Sequence, residues 1–398
     1  MTRPRFVRML IVLGWFMLNQ VSGASPEPYR PTDDAQVLER LSFKASDPVA
    51  RELETLRTDL RRNPHHLESA VKLATRYIEQ GRSEGDPRFL GQAQAVLTPW
   101  WNEPTPPPAT LLLRATIRQN THDFDHALAD LDQVLTVQPA NAQAWLTRAS
   151  ILQVQARYDE ARRACQRLAR LAVSHVLLGC LGDIAGLTGQ SVKSLEFLRA
   201  VLLDSSLLGR ERIWIATILA EIAARTGAAQ EAEHYFAEAF RVGMKDQYLL
   251  SAYADFLLDQ GRPQHVISLV QHETRADGLL LRLALAEQVL GLPTLRGHVS
   301  ELAARFAAAR ERGTTAHVRE EARFTLALLR DAKRALPLAQ ANWTVQREPA
   351  DARILLESAL ADRNRAAARP VLDWLTTNHV EDHRLRQLAK EIEETTSQ

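Results

Sequence analysis

The sequence lacks the motifs by which most enzymes are recognised. It has no glycine-rich loop for a phosphate or a dinucleotide, no nucleophile elbow, no paired-cysteine motif and no zinc-protease helix signature. It also lacks an excess of charge, because 49 lysines and arginines oppose 48 aspartates and glutamates for a formal net charge of +1. A general nucleic-acid binder needs a large positive field. We therefore expect no catalytic residues, no cofactor and no nucleic-acid partner.

Two histidine pairs are the remaining candidates for a metal site. His379 and His383 stand four residues apart, as do His122 and His126. On a helix, this spacing can bring two imidazoles to one ion. However, Val380 occupies the position where a zinc-protease motif has glutamate, and His122 falls in a predicted turn. We interpret both pairs as solvated side chains and predict no metal site.

The chain also lacks an apolar run of the roughly 20 residues that a membrane-spanning helix takes. The apolar run from Met9 to Leu18 is shorter, follows three arginines between positions 3 and 8, and precedes Ser22-Gly23-Ala24. These are the three parts of a secretory signal peptide. We expect cleavage near Ala24, a periplasmic or secreted bacterial product, and no stable membrane insertion afterwards. An uncleaved N-terminal anchor is the alternative, whereas lipoprotein processing would require a nearby cysteine that the sequence does not have.

What the sequence does contain is one helix pair written twice, between Pro106 and Leu171. A shift of 34 residues places Leu111 on Trp145, Arg114 on Arg148, Ala115 on Ala149, Phe124 on Tyr158, Asp125 on Asp159 and Ala127 on Ala161. In the second copy, large Trp145 precedes small Ala149 on the first helix. Aromatic Tyr158 then stands in the turn, and small Ala161 lies on the second helix. This pattern resembles the tetratricopeptide repeat, a 34-residue unit of two helices.

The resemblance implies an all-α, right-handed α-α superhelix of about nine or ten helix pairs, with a degenerate unit at each end. We expect a signal peptide over 1–24, a flexible lead-in with a short helix over 25–46, and the solenoid over 47–379. A C-terminal capping helix and tail should occupy 380–398. A helix from Leu67 to Gln80 is predicted to stop at Gly81, followed by a lengthened connection.

The two cysteines, Cys165 and Cys180, are 15 residues apart. In the repeat register, Cys165 falls on the second helix of one pair and Cys180 on the first helix of the next. They could form a disulfide in an oxidising compartment. We favour two buried free thiols, since free cysteine is often a small core residue.

The predicted binding site is an acidic row on the inner face of the superhelix. In the resembled family the first helices line the concave face, and a side chain six positions before each turn glycine points into it. Asp183, Glu221 and Asp255 hold that position before Gly189, Gly227 and Gly261, respectively. Three acidic side chains at equivalent positions would follow one another along the groove.

The acidic row has aromatic neighbours and a structural alternative. Trp214 and Tyr248, near the starts of two of these helices, could form an aromatic wall, so the groove would accept a basic protein or peptide segment. Alternatively, the acidic residues are ordinary polar positions that form an internal network with Arg225 and Asp259.

The resemblance and the signal together predict a non-catalytic protein-interaction scaffold in the bacterial cell envelope. The carboxylate clamp by which some family members hold a peptide terminus does not map, because the matching inner positions are uncharged: Leu112, Thr116, Leu146 and Ser150. Two alternatives stay open. The protein could be an auxiliary subunit of an envelope polysaccharide or secretion machine, or an enzyme whose site follows no known motif.

Overall fold

A computed structural model describes residues 32–33, 35–36, 47–313 and 317–394. The predicted signal peptide lies outside these residues, as does nearly all of the predicted lead-in with its short helix. Within the described ranges, no helix combines the length and the apolar character that crossing a bilayer requires.

The described backbone forms twenty α-helices and one short 3-10 turn, Leu168–Arg170, which confirms the all-α expectation. The α-helices are α1 (Pro48–Arg62), α2 (Leu67–Glu84), α3 (Arg88–Trp101), α4 (Pro108–Asn120), α5 (Phe124–Val137), α6 (Ala142–Val154), α7 (Tyr158–Arg167), α8 (Ser174–Leu187), α9 (Ser191–Leu202), α10 (Gly209–Arg225), α11 (Ala229–Arg241), α12 (Gln247–Asp259), α13 (Pro263–Val270), α14 (Asp277–Leu290), α15 (Leu295–Glu311), α16 (Val318–Ala327), α17 (Ala332–Val345), α18 (Pro349–Ala361), α19 (Arg365–Thr377) and α20 (His383–Glu394).

These helices follow the repeat register. Helices α2 to α19 form nine pairs, with α1 before them and α20 packed on α18 and α19 after them. The repeated alanines Ala115, Ala149, Ala127 and Ala161 are all buried, as is Tyr158 at the start of α7. Small side chains at these positions let neighbouring helices approach closely, and burying their apolar surface on adjacent pairs is what stabilises a solenoid.

The first complete pair differs from the prediction at Gly81. Helix α2 continues to Glu84, and Gly85, with φ of +66°, ends it. Gly81 is buried inside the helix, where an added Cβ would lie 3.1 Å from the Cβ of Phe89. The prediction of a helix end at Gly81 was therefore wrong. The supposed long connection is largely one more helical turn.

A disulfide joins Cys165 on α7 to Cys180 on α8, with Cα atoms 5.8 Å apart. The preferred interpretation of two free thiols was therefore wrong. The register that places the two residues on neighbouring helices was right. The bond connects one helix pair to the next.

The superhelix closes on itself. One continuous apolar core contains residues of α4 to α8 and of α16 to α20. Polar contacts also join the central helices to the C-terminal pairs. The Ser191 N–H donates to Glu381 Oε2 at 2.8 Å, and Arg353 Nη1 lies 2.7 Å from Asp259 Oδ2. The C-terminal pairs thus lie against the inner side of the central pairs and turn an open groove into a partly enclosed space.

Candidate functional site

The partly enclosed space contains a cavity of about 500 Å³, open to solvent on one side and here called the central chamber. Its wall combines the inner faces of α8, α10 and α12 with the starts of α14, α16 and α18 and the turn between α2 and α3. The charged and hydroxyl groups that matter most are Asp183, Glu221, Arg225, Tyr248, Asp255, Arg282, Arg319 and Glu348. The whole predicted acidic row therefore lines one cavity.

Asp255 is neutralised within the protein. Its carboxylate accepts from Arg282 Nη2 at 2.5 Å and from Arg323 Nη1 at 2.6 Å. Burial alone would raise the pKa of Asp255, but the attraction of the two guanidinium groups outweighs burial and holds the pKa well below its ordinary value. Asp255 therefore belongs to an internal ion-pair network, but its partners are Arg282 and Arg323 and not the Arg225 and Asp259 that the sequence suggested.

Asp183 and Glu221 have a different environment. Gln153 Nε2 donates to Asp183 Oδ2 at 2.7 Å, and the Tyr248 hydroxyl lies 2.9 Å from Glu221 Oε1. Among the described residues, neither carboxylate has an ion pair within 4.0 Å. Their contacts are hydrogen bonds to uncharged groups.

The protonation of these carboxylates reflects that environment. Burial raises the pKa of Glu221 to about 7; the nearby Asp183 adds to the rise, while Arg225 opposes it. Burial likewise raises the pKa of Asp183. Low-dielectric surroundings disfavour a charge that has no close counter-ion. In the acidic row, Asp255 is therefore already paired with two cationic groups, whereas Asp183 and Glu221 could each accept an ion pair from a ligand.

A third carboxylate with a raised pKa comes from the C-terminal part of the chain. Glu348 precedes α18, and its backbone N–H donates to Asp351 Oδ2 at 2.9 Å in a capping box. Burial and the neighbouring Asp351 raise the pKa of Glu348 to about 7, although Arg319 Nη1 lies 3.2 Å away. Sequence reasoning missed Glu348 because only superhelix closure brings it near Glu221.

Arg225 supplies the opposite charge. It lies on α10 one helical turn after Glu221 and lines the central chamber. Within the described structure its Nη2 is buried and has no hydrogen-bond partner. A buried donor without a partner is costly, so an acceptor on a ligand would be stabilising here.

The predicted aromatic wall is only half present. Tyr248 lines the central chamber and contacts Glu221. Trp214 instead packs between α10 and α8, where a Cβ added to Gly179 would lie 2.7 Å from its ring. The placement of Trp214 in a binding wall was therefore wrong. Its ring fills the space that Gly179 leaves at a helix contact.

The histidine pairs do not share helix faces as their spacing suggested. His379 follows α19 with φ of +52°, whereas His383 is the first residue of α20 and its Nδ1 lies 3.3 Å from the Arg225 carbonyl oxygen. His122, with φ of +60°, stands in the turn before α5. No set of three potential metal ligands converges in the described parts of the chain.

No family model and no curated protein matches this sequence. Several solved structures are similar in fold. A chain of the APC/C hetero-tetramer Cut9–Hcn1 is 15% identical, with 78% of this chain and 52% of that chain covered at a TM-score of 0.38. The present chain thus spans about half the length of that relative.

Two further structures show the same type of similarity. A tetratricopeptide repeat protein from Parabacteroides merdae is 12% identical, with 72% of this chain and 97% of that chain covered at a TM-score of 0.34. Yeast Tom70 is 9% identical, with 87% and 96% covered at a TM-score of 0.23. Sequence identities and TM-scores this low give no information about the binding partners of this chain. By its own helix pairs and 34-residue register, the chain is an all-α helical repeat protein of the tetratricopeptide type.

Proposed function

We propose that this protein is a non-catalytic scaffold of the bacterial cell envelope that captures a cationic group of a protein partner in the central chamber. One observation carries the proposal: among the described residues, Asp183 and Glu221 line the chamber without an ion-pair partner, whereas Asp255 beside them is neutralised by two arginines. Arg225 is close enough to act on both carboxylates but forms no ion pair with either, so a lysine, an arginine or an N-terminal amine of a partner would supply a direct one. Pairing with a partly buried carboxylate is stronger than pairing in bulk water.

The closed superhelix limits the form of the partner. An open tetratricopeptide groove can accept an extended peptide along its length. Here the C-terminal pairs occupy much of that path, and the remaining cavity of about 500 Å³ is of the size that holds a small ligand. We therefore favour a chain terminus or a protruding basic side chain over a long threaded segment.

Two features support an exported location. The N-terminal sequence has the arginines, apolar run and small residues of a secretory signal. In addition, Cys165 and Cys180 are disulfide-bonded, and disulfides persist chiefly in oxidising compartments. The scaffold would then act outside the cytoplasm.

Titration calorimetry with short lysine peptides and their norleucine counterparts tests the capture of a cation. We expect binding of the lysine peptides, with a large loss in the double variant Asp183→Asn/Glu221→Gln. The matched control is Glu68→Gln/Asp373→Asn, which removes two exposed carboxylates on other surfaces. Equal affinity for lysine and norleucine peptides, or equal loss in both double variants, would refute the proposal.

A further inference from the structure

The carboxylates of the central chamber have a cationic neighbour that is itself without an ion pair. Arg225 lies on α10 and lines both the central chamber and an adjoining cavity of about 220 Å³. Two other arginines of the chamber wall are engaged by acidic groups, Arg282 by Asp255 and Arg319 by Glu348. Arg225 forms no ion pair with any residue that the structure describes. Its charge is therefore available to a ligand.

The Arg225 guanidinium reaches across from α10 to the neighbouring helix α8. A Cβ added to Gly186 on α8 would lie 3.5 Å from Arg225 Nη2. This nitrogen is buried beside Gly186 and has no hydrogen-bond partner within the described structure. The side chain as a whole is only partly buried and lines the central chamber. A carboxylate in the chamber can therefore approach it.

The positive group and the two negative groups lie about one helical turn apart. Asp183 precedes Gly186 by three residues on α8, and Glu221 precedes Arg225 by four residues on α10. At about 1.5 Å per residue, these offsets correspond to roughly 4.5 to 6 Å along the helices. Burial raises the pKa of both carboxylates, and the charge of Arg225 opposes the rise. The chamber thus presents negative and positive groups at a short, fixed spacing.

We propose that the group captured in the central chamber is a zwitterion. Its ammonium group would pair with Asp183 and Glu221, and a carboxylate of the same residue would bind Arg225. This inference rests on the proposed function and names its ligand class. A C-terminal lysine of a protein partner carries both groups, as does a free amino acid with an equivalent spacing of charges. A ligand with an ammonium group alone would bring a second cation close to Arg225 without compensating it.

Calorimetry with 4-aminobutyrate and butylamine tests the inference. The three methylene groups of 4-aminobutyrate keep its charges about 5 Å apart, whereas butylamine carries the ammonium group only. We expect 4-aminobutyrate to bind the native protein roughly tenfold more tightly, because hydrogen bonds between charged groups contribute a factor of that order. Arg225→Gln should abolish this difference between the probes, and Arg225→Lys, which keeps the charge, should retain most of it.

Arg82 provides the matched control. It lies in the last turn of α2, is exposed, and lines the same chamber. Arg82→Gln should keep the preference for 4-aminobutyrate, and circular dichroism should show the same helix content in all variants. Equal affinity of the native protein for the two probes would overturn the inference, as would the same loss of preference in Arg82→Gln and Arg225→Gln.

The double variant Asp183→Asn/Glu221→Gln distinguishes this inference from the proposed function. If the native protein binds both probes equally and this variant binds neither, cation capture stands and only the zwitterion is overturned. Binding of neither probe by the native protein would overturn both.

Peptides identify the source of the zwitterion. A short peptide with a C-terminal lysine should bind more tightly as the free acid than as the C-terminal amide when a protein partner supplies the group. Equal binding of the two peptide forms, together with the preference for 4-aminobutyrate, would support the zwitterion and assign the chamber to a free amino acid.

Discussion

The backbone N–H of Arg347 donates to the carbonyl oxygen of Val154 at 2.8 Å. Val154 is the last residue of α6, where carbonyl groups have no partner within their own helix. The segment between α17 and α18 thus satisfies a helix end in the first half of the solenoid. This contact is part of the closure that makes the central chamber, and it makes C-terminal residues part of the candidate site.

The buried ion pair in the clearest repeat should be important for stability. Asp130 is 1% exposed and accepts from Arg114 Nη2 at 2.6 Å and from Arg118 Nη1 at 2.6 Å. Asp130→Asn should lower the free energy of unfolding by about 3 kcal/mol, because Arg114 stays buried without a counter-charge. Urea denaturation measures the change. Asp132→Asn, on the exposed face of the same helix, should cost less than about 1 kcal/mol, and similar losses in the two variants would contradict the prediction.

The chamber carboxylates should make stability depend on pH. Glu221 and Glu348 have pKa values of about 7 in the folded protein, against an ordinary value of 4.5. Between pH 4.5 and 7 the folded state therefore binds more protons than the unfolded state. The protonated carboxyl groups of the two glutamates contribute fully to stability below pH 4.5, and this contribution is lost as the pH rises towards 7. In urea denaturation across this pH range, the free energy of unfolding of Glu221→Gln should decline less steeply with pH than that of the native protein. Glu68→Gln, which changes an exposed carboxylate, should keep the native slope.

Binding of a cation should have the opposite pH dependence. A lysine peptide pairs with the ionised form of Glu221, so below the pKa of about 7 binding must first remove a proton. Affinity should rise by roughly 25-fold from pH 5.5 to 7.5 and then level off, following the ionised fraction of Glu221. Calorimetry in buffers of different ionisation enthalpy would also detect the released proton. An affinity that is flat over this range would exclude Glu221 as a ligand-binding group.

The disulfide should stabilise the junction between two repeats. Cys165 and Cys180 enclose a short segment, and the loop-entropy estimate for a closed loop of this length is about 3 kcal/mol. Cys165→Ala/Cys180→Ala should lose stability of that order in urea. Dithiothreitol should destabilise the native protein and leave the variant unchanged. Equal sensitivity of both proteins to the reductant would contradict the prediction.

Two helical glycines should respond oppositely to alanine. A Cβ at Gly179 would lie 2.6 Å from Ile215 Cδ1, whereas a Cβ at Gly91 would meet nothing within 4 Å. Gly179→Ala should lower the free energy of unfolding by about 1–3 kcal/mol through overpacking. Gly91→Ala should raise it by about 0.5–1 kcal/mol through helix propensity. Melting temperatures that move in the same direction would show that one of these packing arguments is wrong.

Local pattern was enough to predict the repeat register. Ala149 and Ala161 are buried where the 34-residue pattern places them, because helix faces repeat with a short period and small residues are needed at each contact. The error at Gly81 has a local cause as well. A glycine ends a helix when it adopts a left-handed conformation, which Gly85 does, and glycine residues inside a helix look identical in sequence.

The repeat pattern was sufficient to predict the helix pairs, the inner-face positions of Asp183, Glu221 and Asp255, and the adjacency of the two cysteines. All of these depend on neighbours within one or two repeats. Long-range contacts decide which acidic residues of the described structure are left without an ion-pair partner. Arg323 reaches Asp255 at 2.6 Å from 68 positions along the chain, and small rotations between successive pairs accumulate into the closure that brings them together. The sequence pattern of a single repeat does not reveal the total of these rotations.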